Sequence, residues 1–207
     1  MSQVGEDIEV PKVVNHVARR LSITRAVAAL IERAGIQAVS VRTVAAEAGL
    51  RPSTLRHYFP SSDEMLAGTI TMVRERQAAR FAQVPSSGDA QADIRTAWLH
   101  ALPLDAERRT EAHVWLAITA VARTPELRRV LADINDGLDQ LCAATVRVYS
   151  AGKAHPRESE AMMLRAFTDG LAVMAITEPA AFPEEVITAA LDAYLAHLAA
   201  RGSGGVT

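Results

Sequence analysis

The stretch from Ser40 to Pro60, SVRTVAAEAGLRPSTLRHYFP, constrains this chain more than any other, because it encodes two short helices and the turn between them. The Ser40 hydroxyl can cap the first helix, and Val41, Val44, Ala45 and Ala48 then fall at i, i+3, i+4 and i+7 on one apolar face. Gly49 follows, free to take the left-handed conformation that closes a helix. Pro52 suits the first position of a second helix, where its missing N–H has no partner to lose, and it biases Arg51 toward the extended conformation of a cap. Leu55 and Phe59 share the inward face of that helix, leaving Ser53, Thr54, Arg56, His57 and Tyr58 pointing elsewhere. Hydroxyls, a guanidinium, an imidazole and a phenol bond to base edges and phosphates, so the segment is a predicted helix-turn-helix.

Charge tests this reading independently. The whole chain is net −2, yet Lys12 to Pro60 holds eight Lys and Arg against two Asp and Glu. From Ser61 onward the balance reverses, with 14 basic residues against 19 acidic ones. A positive excess confined to the motif is what a surface for polyanionic nucleic acid requires.

At 49% hydrophobic and 4% aromatic residues, the 207-residue chain suits one or two globular units, and its wealth of Ala and Leu favours helix. With no signal-like leader and no bilayer-length apolar run, a cytoplasmic protein with no membrane partner is expected. Cys142 is the single cysteine, which rules out an intrachain disulfide and a thiolate metal cluster. No nucleophile elbow, phosphate-cradling glycine loop or two-histidine metal helix is present, so neither an enzyme nor a cofactor is expected. His100 and His113 lack the paired spacing of zinc ligands, and no metal site is assigned.

Punctuation divides the rest of the chain into helices. Asp89 can cap one to Leu102, Asp105 one to Ala122, and Thr124 with Pro125 one to Tyr149, while Pro156 and Pro183 open the last two. No segment alternates as a strand. With three helices before Pro60 and one directly after it, the expectation is an all-α fold of about nine helices. Residues 11–60 would form a DNA-binding domain and 61–201 a second helical domain, with flexible ends at 1–10 and 202–207.

The residues of the first domain resemble the TetR-type one-component transcriptional regulators. Arg19 to Gly35 is similar to that family's first helix, Ser40 to Ala48 to its second, Pro52 to Phe59 to its recognition helix with the aromatic pair Tyr58-Phe59, and Ser61 to Leu66 to the start of its fourth. Arg51 departs from the serine cap common in the family, and Asp63 stands near a position where many relatives carry lysine. Leu102 to Arg123 and Asp169 to Pro179 resemble the C-terminal domain of the family's BetI-like branch.

The resemblance implies a regulator, most often a repressor, that binds double-stranded operator DNA of near-palindromic sequence as a homodimer and is released by an unidentified small-molecule effector. The residues expected at DNA are Arg42, Thr43, Arg51, Pro52, Ser53, Thr54, Arg56, His57 and Tyr58. Trp98 and Trp115 fall on helices that border the effector cavity in the family and could stack on a ligand; nine aromatic residues in all are few for a choline cage. Small residues at Ala166, Gly170, Ala172 and Ala175, with Val186, Ile187, Ala190, Leu191, Tyr194, Leu195 and Leu198 on the final helix, are read as a four-helix dimer interface, as in the family, with an intrachain core as the alternative. A helical adaptor and a regulator without any effector are the alternative readings.

Overall fold

The computed structural model describes residues 12–150 and 158–203. The described residues form nine α-helices and no strand: α1 Lys12–Ala34, α2 Val41–Glu47, α3 Pro52–Tyr58, α4 Ser62–Phe81, α5 Ala90–Ala101, α6 Ala106–Val121, α7 Pro125–Tyr149, α8 Glu158–Thr177 and α9 Glu184–Ser203. Pro156 and the segments 1–10 and 204–207 lie outside the described residues. Two compact units divide inside α4, after Thr69.

In the first unit, α1 starts at Lys12, seven residues before the position expected from the family resemblance. Nothing between Lys12 and Ala34 is proline or glycine, so the helix propagates back through KVVNHVA without a breaker. It stops at Gly35, whose φ of 76° lies in the left-handed region, and a short 3-10 turn, Ile36–Ala38, leads to α2. Ile23, Val27, Leu30 and Ile31 line one face of α1 and are buried with Val44, Ala45, Leu55, Phe59, Met65 and Leu66. This core holds α2 and α3 in place.

The second unit is a helical bundle in which α7 packs against α5, α6, α8 and α9. Leu127, Val130, Leu131, Ile134, Cys142 and Val146 recur at helical spacing along its buried face. The anticipated caps are formed: Asp89 accepts from the Gln91 and Ala92 N–H groups, Asp105 from Arg108, and Thr124 from Leu127. Each supplies an acceptor for a helix N–H that would otherwise have none.

The apolar residues of the last two helices divide by phase. Leu164, Leu171, Ala175, Ile187, Leu191 and Leu195 belong to the intrachain core. Met163, Ala166, Met174, Val186, Ala189 and Ala193 are exposed instead. Thus Ile187, Leu191, Leu195 and Leu198, which the sequence assigned to a dimer interface, are instead buried within one chain at 5% exposure or less. A helix turning every 3.6 residues separates Val186 from Ile187 by about 100°, enough to place one outside and the other inside.

Candidate functional site: a nucleic-acid interface and a cavity

The turn between α2 and α3 follows from local sequence. Ser40 and Thr43 form a reciprocal capping box: the Thr43 N–H donates to Ser40 Oγ at 3.2 Å, and the Ser40 N–H donates to Thr43 Oγ1 at 3.0 Å. At the other end Gly49 has φ 65°, with the Leu50 N–H donating to the Ala45 carbonyl at 2.8 Å and the Gly49 N–H to that of Ala46 at 3.2 Å. This Schellman closure reverses the chain within two residues. Arg51 then holds φ −75° and ψ 144°, and its side chain makes no cap bond.

Along α3, Leu55 and Phe59 are 0% and 1% exposed, so the rest of the helix is turned outward. Arg51, Pro52, Ser53, Thr54, Arg56 and His57 are exposed and Tyr58 is half-buried. Arg42 is exposed on α2, whereas Thr43 is half-buried and its hydroxyl is already engaged, donating to the Ala38 carbonyl at 2.6 Å besides serving the capping box. Among the residues expected at DNA, Thr43 therefore sits as a structural cap, and Pro52 offers only van der Waals contact because it lacks an N–H.

Two residues of α1 join this surface without having been singled out from the sequence. The His16 ring lies 4.8 Å from that of Tyr58, and the His57 ring meets the phenol edge-on at 5.4 Å. Arg20 Nη1 donates to the Tyr58 carbonyl at 2.6 Å, and its guanidinium stands 4.1 Å over the Phe59 ring. A cation at the C-terminus of α3 answers both an open carbonyl and the negative end of the helix dipole. The i, i+4 spacing of His16 and Arg20 was the available signal, but their partners are 38 or more residues away in the chain. Arg33 further ties α1 to α2 through a two-pronged bond to Glu47 at 3.2 and 2.7 Å, which holds the Glu47 carboxyl below its ordinary value.

The second unit contains a cavity of about 360 Å³ bordered by Phe81 of α4, Ala97 of α5, and Ile134, Leu138 and Leu141 of α7. A smaller one of about 60 Å³ is lined by Glu111 and Trp115 of α6 and by Asp169 of α8, and the two share Gln77, Ala101, Ile134 and Leu138. Trp115 thus borders a cavity, with its indole N–H buried and unpartnered. Trp98 does not line either one; it is 1% exposed in the core and donates its N–H to Thr145 Oγ1 at 2.8 Å. Its ring fills space between helices, and its one donor is spent.

Glu111, 4% exposed, accepts from both terminal guanidinium nitrogens of Arg80, Nη1 at 3.1 Å, so α4 and α6 are joined by a charge pair with a buried carboxylate. Among the described residues no group of three His, Cys, Asp or Glu is placed to hold a metal ion. None of the described helices is long and apolar enough to cross a membrane.

Comparison with known proteins agrees with both units. Residues 15–69 match the family model for bacterial regulatory proteins of the tetR family, and residues 90–200 match that for the BetI-type transcriptional repressor C-terminal domain. The HTH-type transcriptional regulator PksA of Bacillus subtilis (strain 168) is 31% identical over 172 residues, covering 82% of this chain and 84% of that protein. A transcriptional regulator from Rhodococcus sp. Rha1 superposes with a TM-score of 0.73 at 31% identity, over 91% of this chain and 99% of that one. A regulator from Saccharomonospora viridis, solved in complex with choline, shares the fold with a TM-score of 0.72 at 22% identity, over 87% and 97%. A helix-turn-helix on one side, a cavity-bearing helical unit on the other and these matches across most of the chain lead to one conclusion: this chain belongs to the TetR family of transcriptional regulators and carries a BetI-type C-terminal domain.

Proposed function

We propose that the chain is a cytoplasmic homodimeric repressor that reads a near-palindromic operator with α3 and is released by a small molecule bound in the second unit. The observation that carries the DNA-reading part is the outward polar face of α3, set on a buried Leu55–Phe59 spine. Thr54 and His57 contact base edges, Arg42, Arg51, Arg56 and Tyr58 the phosphates, and Ser53 a phosphate near the helix start. Arg51 gives up a side-chain cap at the helix end nearest the DNA, which leaves its guanidinium available.

The exposed stripe of Met163, Ala166 and Met174 on α8 with Val186, Ala189 and Ala193 on α9 is the dimer surface in this reading. Small residues allow close helix approach, and two recognition helices related by symmetry add their contacts. The cavity beside Trp115, and the choline held by the Saccharomonospora relative, support an effector. For release, the effector must favour the chain geometry that binds DNA poorly, and DNA weakens effector binding by the same factor.

Two measurements test this. Fluorescence anisotropy on duplex DNA should show a steep loss of affinity as salt rises, through counterion release; a helical adaptor shows no DNA binding even at low salt. Sedimentation equilibrium should show a dimer for the native chain and a monomer for Gly170→Arg, because a Cβ at Gly170 meets nothing within 4 Å in a single chain. A Gly170→Arg protein that remains dimeric would place the interface elsewhere.

A further inference from the structure

We propose that this cavity takes an uncharged, largely apolar effector bearing a carbonyl-type hydrogen-bond acceptor, and that the Gln77 amide orients it. The inference rests on the effector reading above and supplies its chemistry. Every carboxylate on the cavity walls already holds an arginine. Asp133 accepts from Arg74 at 3.1 Å, Glu111 from Arg80 at 3.1 Å, and both oxygens of Asp169 from Arg165 Nε at 2.9 Å. The wall arginines are committed too, Arg74 to Asp133 and Arg108 to Asp105 at 3.0 Å.

At the smaller cavity a charged ligand would lose its water and meet Glu111, 4% exposed and already paired; displacing Arg80 would leave a buried charge without a partner, which is strongly unfavourable. Nor is there a cage for a quaternary ammonium, since the larger cavity offers the Phe81 ring and the smaller the Trp115 ring. The remaining wall is apolar, with Ala97, Ala101, Ile134, Leu138 and Leu141 facing the space.

Two polar groups are uncommitted. Gln77 is half-buried on the wall shared by both cavities and has no hydrogen-bond partner among the described residues. The Trp115 indole N–H is buried without one. The Trp115 indole can only donate and the Gln77 amide can donate beside it, so the one ligand group that both can bind is an acceptor oxygen on an apolar body. Gln77 also stands on α4, the helix that supplies Met65 and Leu66 to the core of the DNA-reading unit.

Isothermal titration calorimetry of the full chain with 2-octanone, octyltrimethylammonium and octanoate separates head-group charge from the common apolar body. The ketone is expected to bind at least ~10-fold tighter than either ion, and Gln77→Leu to weaken it ~5- to 10-fold, the loss of about one hydrogen bond. Leu138→Trp, which fills the shared wall, should abolish binding, and Ala101→Leu serves the same purpose should the tryptophan variant not fold. Tighter binding of either ion, or Gln77→Leu without effect, overturns the proposed chemistry while leaving an effector role intact. Ketone binding with these sensitivities that leaves DNA affinity unchanged upholds the cavity chemistry and overturns the effector role. Absence of saturable binding by all three probes overturns both.

Discussion

Arg20 and Tyr58, one near the start of the structure and the other at the end of the recognition helix, are joined by a 2.6 Å hydrogen bond from guanidinium to main-chain carbonyl. The same guanidinium covers the Phe59 ring at 4.1 Å, so one side chain closes the C-terminus of α3 and packs over the residue that anchors it. The hydrogen bond is exposed, and each contact contributes about 0.5–1 kcal/mol. Arg20→Met should lower Tm by ~2–4 °C in thermal unfolding and weaken DNA binding. Arg20→Lys should recover less than half of the stability, because an ammonium cannot both reach the carbonyl and lie flat on the ring.

Specificity and anchoring separate along α3. Tyr58→Phe, which keeps the ring contacts with His16 and His57 and removes only the hydroxyl, should weaken operator and unrelated DNA equally, by ~3- to 10-fold. Thr54→Ala and His57→Ala should reduce the ratio of operator to unrelated binding. Competition titrations with both duplexes distinguish the two patterns, and an unchanged Tyr58→Phe protein would remove the hydroxyl from the phosphate role.

Phe59 also fixes Gly68 on α4. A Cβ at Gly68 would lie 2.7 Å from Phe59 Cε1 and 3.0 Å from Cζ, and that residue is 1% exposed. Alanine in a helix interior gains about 1 kcal/mol over glycine, but overpacking costs about 1–3 kcal/mol. Gly68→Ala should therefore lower Tm, and adding Phe59→Leu should recover part of the loss in a double-mutant cycle. A rise in Tm for Gly68→Ala would show that the ring yields.

Arg95 holds Asp192 through a two-pronged bond at 2.6 and 2.9 Å, and this hydrogen bonding keeps the carboxyl below its ordinary value of 3.8. Because the folded value is the lower one, the bridge stabilises fully above the unfolded value and is lost as pH falls through the folded one. Both side chains are about two-fifths exposed, so its worth is no more than about 1 kcal/mol. Denaturant unfolding of native protein and Asp192→Asn should differ at pH 7, and the difference should shrink as pH falls below about 4. A difference that does not shrink on acidification would mean the asparagine disturbs packing rather than charge.

What could be read from the chain was whatever depends on near neighbours. Ser40, Asp89, Asp105 and Thr124 act on N–H groups two or three residues away, and Gly49 closes α2 over a single turn, so the cap and turn chemistry is written locally. The start of α1 was not legible in the family resemblance, which indicated only Arg19 onward. The support that His16 and Arg20 give to Tyr58 spans about 40 residues of chain and exists only after folding. Phase decided the fate of the last two helices, where Ile187 turns inward and Val186 outward although both are β-branched and adjacent. The cavity is the least legible feature, since Gln77 earns notice only once several helices surround it and leave its amide unpaired.

The central claim, that this chain reads DNA as a symmetric pair of α3 helices, is tested most directly by selection of bound duplexes from a randomised pool with the purified full-length protein. An inverted repeat whose half-sites lie about one helical turn apart is the expected product. Enrichment of a single unrepeated site, or of no sequence at all, would contradict it.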